Sequence, residues 1–138
     1  MTRRVLRQAA LAVVAGCGLL GCGGSGGSSA PTATTPVVVT FEVDDERFKA
    51  LLTDSADIDI ARHLLAGDDV PSIPNGKVIR ETGVNTGYAW SMDPNDIEFV
   101  DVTDEVCDGV PSEVETGQVT GDRFCPTSAV VVAIDPAP

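Results

Sequence analysis

The chain has 138 residues, with 21 Asp and Glu against nine Lys and Arg, a single His and a formal net charge of −12. That length holds one independent domain of ordinary size. The acidic balance excludes nucleic acid and anionic lipid headgroups as direct partners, because both carry charge of the same sign.

Met1 to Gln8 carries Arg3, Arg4 and Arg7 and no acid, and Ala9 to Leu20 follows as an apolar run of twelve. Twelve residues are too few to span a bilayer as a helix. A basic segment before a short apolar one is the pattern of an export signal. Leu19-Leu20-Gly21-Cys22 then sets apolar, small and cysteine residues in lipobox order and resembles bacterial lipoprotein signals. The resemblance implies that Cys22 is lipidated and becomes the new amino terminus. Val14-Ala15-Gly16-Cys17 is a second match, and an ordinary secretory signal is a third reading. Cys22 is favoured because a Gly/Ser-rich tether begins directly behind it. The expected organisation is a signal over 1–21, a lipidated cysteine and tether over 22–36, and one domain over 37–138. The domain is expected to be exported and held to the cell membrane through its lipid alone. All acids lie at or after Glu42, so removing the signal leaves six Lys and Arg against 21 acids, a net −15. Such a surface keeps a domain soluble and suits cationic partners.

Gly23 to Pro36 contains only Gly, Ser, Ala, Thr and Pro, cannot bury anything, and has a reach of about 20 Å as a flexible coil. Val37 to Val43 is β-branched and aromatic and predicts a strand. Asp44-Asp45 predicts a turn, and the period-two pattern Phe48, Ala50, Leu52 predicts a second strand paired with the first, with a helix as the rival. Asp54 to Ala66 predicts the main helix: Asp54 or Ser55 can cap its first amides, Ile58, Ala61, Leu64 and Leu65 fall on one face, and Gly67 suits a left-handed end. Asn75-Gly76 reads as a tight turn, followed by a strand over Lys77 to Glu81. Tyr88 to Met92, Asp96 to Thr103 and Ser128 to Asp135 are further strand candidates, the first two separated by Asp93-Pro94-Asn95. The expected fold is α+β, a mostly antiparallel sheet or sandwich of five to six strands with one main helix at about 54–66.

With Cys22 lipidated and Cys17 removed, Cys107 and Cys125 remain in an exported domain, a setting that predicts a disulfide. The alternative, a catalytic cysteine, needs a base, and the one histidine, His63, sits on the predicted helix. Asp108-Gly109 would turn the stapled loop, Pro111-Ser112 would start a helical turn, and Glu113 and Glu115 would face water. Zinc requires more N and S ligands than one His and two Cys supply. Calcium is a weak candidate at Asp93, Asn95 and Asp96, since DPNDIEFVDVTDE lacks the glycine and glutamate spacing of an EF-hand loop. Tyr88 and Trp90, two apart, are candidates for a stacking surface beside Asp93, with core packing as the competing explanation. No catalytic set, phosphate-binding glycine loop or serine elbow is found, and no cofactor is implied.

FKALLTDSADIDIARHLLAG, IPNGKVIRETGVNTGYAW, DPNDIEFVDV, EVCDGVPSEVE and FCPTSAVVVAI together resemble a family of small exported domains. It is named for the amino-terminal domain of a calmodulin-binding protein, and the resemblance spans about Val39 to Ile134. It implies that the family's paired cysteines are Cys107 and Cys125. The family pattern Trp-His-x-Asp-Pro is here Trp90-Ser91-Met92-Asp93-Pro94, and Cys-Pro-Trp ends in Thr127, so contacts made by that His or Trp are absent. The name implies no calmodulin contact, because calmodulin targets are basic amphipathic helices. The expected function is a membrane-anchored binding or interaction module for an envelope or extracellular partner. A carboxylate-dependent envelope hydrolase working near Trp90 and Asp93 is the alternative, and a calcium-stabilised surface module is the second. Ligand and oligomeric state are left open.

Overall fold

The structure, a computed structural model, describes residues 33–138. The expected signal, Cys17, Cys22 and the expected tether up to Thr32 lie outside the described residues. Six strands form two antiparallel sheets of three, and with one main helix they make an α+β domain.

Strands β1 (Val37–Val43) and β2 (Glu46–Leu52) form the expected hairpin, paired from Val43↔Glu46 to Val37↔Leu52. Its two-residue turn needs a positive φ, which Asp44 supplies at 52°, a conformation that Asp tolerates better than most side chains. Val39, Phe41, Val43, Phe48, Ala50 and Leu52 turn inward and are fully buried or nearly so. The period of two therefore leaves Thr40, Arg47 and Lys49 on the other face.

Helix α1 (Ser55–Ala66) starts where Asp54 Oδ1 accepts the Ala56 N–H at 2.8 Å and the Asp57 N–H at 3.3 Å. It ends at Gly67, whose φ of 86° closes the last turn on the His63 and Leu64 carbonyls. The predicted apolar face is wider than the one used: Ile58 and Ala61 are buried, Leu64 is half-buried, and Leu65 is 46% exposed. Burial pushes the Asp57 carboxyl up from its usual range, with the Asp54 and Glu98 charges adding to it. A first-turn acid gains from the helix dipole, but here desolvation and like charge win. A carboxyl raised in the folded state makes the protein less stable as pH climbs through that raised value. Asp57→Asn is therefore expected to raise the melting temperature at pH 7 and to leave it nearly unchanged under acid conditions where Asp57 is protonated. A lower melting temperature at pH 7 would show that the dipole dominates.

The largest departure from the sequence reading lies in the second sheet. Asn75-Gly76 is not a turn; it lies inside β3 (Ile73–Ile79). A Cβ on Gly76 would sit 2.8 Å from Met92 Sδ, so the glycine is there to let the neighbouring strand approach. That neighbour, β4 (Ser91–Val100), is one strand where two were predicted. Its pairing with β3 jumps from Val78↔Met92 to Gly76↔Ile97. Asp93-Pro94-Asn95 is thus looped out as a bulge on an edge strand, where Pro94 costs no ladder bond. Tyr88 to Trp90 precede β4 in a loop.

After β4 come a 3-10 turn (Glu105–Cys107), helix α2 (Pro111–Thr116), the two-residue β5 (Arg123–Phe124) and β6 (Val130–Pro136). The strand orders are β2-β1-β6 and β4-β3-β5. Buried residues of both sheets and of α1 share one core. Its centre is aromatic: Phe41 stacks on Phe48 with centroids 5.0 Å apart, and Trp90 meets Phe124 edge-on at 5.4 Å and Phe48 at 5.9 Å.

Candidate functional site

Cys107 and Cys125 are joined by a disulfide, with Cα atoms 5.1 Å apart. The bond closes a loop that contains α2 and β5. Two further ties run beside it: the Cys125 N–H donates to the Cys107 carbonyl at 2.8 Å, and Asp108 accepts both the Thr127 N–H at 2.8 Å and its hydroxyl at 2.9 Å. Thr127 therefore ties the segment after Cys125 back to the residue after Cys107. His63 is engaged with Asp68 at 2.7 Å on the exposed side of α1.

The residues singled out near Trp90 are dispersed. Trp90 has no exposed surface, so the proposed stacking platform is corrected to core packing. Tyr88 is half-buried against it at 5.6 Å. Asp93 Oδ1 accepts the Asn95 N–H at 2.9 Å and its side-chain amide at 3.2 Å, while Asp96 is paired with Arg123 at 2.8 Å. Arg123 also grips Asn75 by its side chain and its carbonyl. Asp93 and Asp96 thus each have one carboxylate oxygen engaged locally, and among the described residues no three His, Cys, Asp or Glu groups converge on a point that could hold a metal.

Sequence reasoning missed Glu46. Its Oε1 accepts the Ser112 hydroxyl at 2.6 Å, and its Oε2 accepts the Ser112 N–H at 2.7 Å and the Tyr88 hydroxyl at 3.2 Å. One carboxylate at the start of β2 thereby caps the first turn of α2 and holds the loop before β4. The Ser112 hydroxyl is the main reason this carboxyl sits below its ordinary range, with burial opposing it. Burial first, and then the Glu46 charge, pushes the Tyr88 phenol up, so it remains a neutral donor. Of the two glutamates expected to face water, Glu115 is exposed and accepts the Ala89 N–H at 3.0 Å, while Glu113 is half-buried and accepts the Val110 N–H at 3.1 Å. A carboxyl lowered on folding adds stability above its unfolded pKa, and that stability is lost as pH falls through the folded value. Glu46→Gln is expected to lower the melting temperature at pH 7 by about 5 °C, roughly 1 kcal/mol at this domain size. The difference should vanish in acid, and an equal loss at every pH would mean that the carboxylate charge is irrelevant.

Two adjoining grooves, among several on the surface, lie on the outer face of the β2-β1-β6 sheet. Their wall is held by Asn85, which is only 1% exposed. Its Oδ1 accepts the Lys49 N–H at 2.9 Å and its Nδ2 donates to the Trp90 carbonyl at 2.9 Å. The side-chain amide thus continues the edge of β2 as a strand would, and pins the loop of residues 80–90 against it. One groove of about 410 Å³ is lined by Thr40, Arg47, Lys49, Asn85 and Thr86, with Ala133 at its floor. A second, of about 420 Å³, is lined by Val38, Lys49, Val84, Thr86 and Pro136. Lys49 and Thr86 belong to both, so the two make one crevice. The outward direction of Lys49 was legible in the alternation of β2. The loop that walls it was not, since Asn85 gives no local signal of being buried.

These observations define a disulfide-stapled, two-sheet α+β domain with a preformed surface crevice. The model of the BP-74 N-terminal domain family matches residues 34–138, and the chain belongs to that family. Comparison with curated proteins and with solved structures gives no significant match.

Proposed function

We propose that the protein is a membrane-anchored, extracytoplasmic binding module, lipidated at Cys22, whose two sheets pack face to face as a sandwich and whose ligand seat is the crevice around Lys49 and Thr86. The observation that carries this reading is the crevice itself: its wall is held by the buried Asn85 side chain through two hydrogen bonds, so it is shaped before any ligand arrives, which lowers the ordering cost of binding. Ring contacts across the core, Phe41 with Phe99 and Phe48 with Phe124, support the sandwich. The burial of Trp90 and the contacts of Asp93 with Asn95 favour the binding reading over the hydrolase alternative.

A photo-crosslinking side chain placed at Thr86, in the anchored protein on intact cells, is expected to give a discrete adduct that the same group at exposed Asp69 does not. Identical adducts from both positions would remove the crevice from the reading. Cys22→Ser is expected to release the domain into the medium or leave it unprocessed, and unchanged membrane attachment would overturn the anchor.

A further inference from the structure

The first groove differs in charge from the domain as a whole. The domain carries 21 acids against six Lys and Arg, yet no Asp or Glu lines the first groove, while Arg47 and Lys49 do. Arg47 is spent on Glu42, 2.6 Å away. That pair leaves the Arg47 and Glu42 charges compensating one another. Arg62 and Arg123 are likewise paired with carboxylates, and Arg80 donates to the Val114 carbonyl at 3.0 Å. Among the described residues, Lys49 is the half-buried cation with no carboxylate within 4.0 Å. Its neighbour across the ladder is Thr40, which in turn faces Ala133 on β6. One row across the sheet therefore runs from an ammonium through a hydroxyl to a methyl, under the Thr86 loop. Beyond it the second groove is lined by Val38, Val84, Pro136 and Pro138, with Asp135 the one acid there.

We infer that the crevice seats a carboxylate carried on a short apolar body, with the Lys49 ammonium as counter-charge, the Thr40 and Thr86 hydroxyls as neutral donors, and the Val38–Val84 groove for the apolar part. This rests on the crevice being the binding seat. A lysine on a half-buried position with no carboxylate partner is favourable ground for a charge-assisted hydrogen bond. The domain's net negative charge opposes approach of an anion at long range, but at 0.15 M salt that field is screened beyond about 8 Å. The local Lys49 charge then decides binding, while encounter stays slow.

The test uses the purified full-length chain with four probes: hexanoate, hexanamide, acetyl-valyl-alanine with a free carboxylate, and its carboxamide. The two acids are expected to shift the amide resonances of Thr40, Lys49, Thr86 and Ala133 saturably, and the two amides are not. Lys49→Gln should weaken acid binding by about tenfold or more, the loss of one charge-assisted contact. Lys77→Gln, an exposed cation on β3, should leave it unchanged. Unaltered fluorescence of Trp90 certifies that either variant is folded. A tighter peptide acid assigns the carboxylate to a chain terminus, a tighter hexanoate to a free organic acid, and both support the inference. Equal shifts from acids and amides, an unweakened Lys49→Gln, or no saturable shift from any probe overturn it. Crosslinks from Thr86 that persist in that case leave the crevice as binding seat intact; their absence removes both.

Discussion

Reduction of the Cys107–Cys125 disulfide, or a Cys107→Ser, Cys125→Ala double variant, is expected to cost about 3 kcal/mol, the chain-entropy value for a loop closed over 18 residues. For a domain of about 100 residues that is a fall in melting temperature of roughly 10–25 °C. The cost is concentrated in one place. β5 meets β3 at only two positions, Gly76↔Phe124 and Lys77↔Arg123, so its ladder alone is too short to hold the segment. The double variant should be insensitive to reductant and match the reduced wild type. Serine suits position 107 because the sulfur there already lies 3.2 Å from the Asp104 carbonyl, and a hydroxyl can donate to it. Two free thiols by mass spectrometry in the untreated protein, or melting unaffected by reductant, would overturn the staple.

Trp90→Ala is expected to be as damaging, about 3–5 kcal/mol, because the indole fills the centre of the core and the surrounding rings cannot all collapse into its volume. It packs on Tyr88, Phe48 and Phe124 with centroids 5.4–5.9 Å away. Trp90→Phe should cost much less. Among the described residues the indole Nε1 is the buried side-chain nitrogen or oxygen left without a partner. Removing an unsatisfied buried donor returns about 1–3 kcal/mol against the volume lost. Thermal melts followed by circular dichroism compare the two, and a phenylalanine variant as unstable as alanine would mean that the Nε1 proton is bonded in solution. Since Trp90 is the one tryptophan, native emission should be that of a shielded indole and should shift to the red on unfolding.

Both predictions concern residues whose roles were half legible in advance. Cys107 and Cys125 stood out because the other two cysteines fall at an expected export signal and its expected lipidation position, and the staple was an expectation built on that assignment. Trp90 was visible as a large apolar residue, but whether its face was a platform or packing depended on what lay over it. The DPN group shows the same division. Its break signal is real, yet β4 absorbs it as a bulge because the strand lies at a sheet edge and pairs with β3 on one side only. Gly76 gave a turn signal by its own flexibility, and its actual reason for being glycine is the Met92 side chain sixteen positions away.

Much of the domain was readable because its causes are local. The β1–β2 hairpin is written in a two-residue acidic turn and a period of two, and α1 in an aspartate cap, a stripe at Ile58 and Ala61, and a closing glycine. These need a handful of neighbouring residues, so a linear string carries them. The pairing orders, the burial of Trp90, the three donors gathered by Glu46 and the Asn85 clasp that makes the crevice join residues far apart in the chain: Glu46 to Ser112 across 66 positions, Lys49 to Asn85 across 36. Each of those side chains has many possible partners of equal local merit. Packing of the shared core selects among them, because burying the aromatic cluster in one arrangement fixes which partners each of these polar groups can reach.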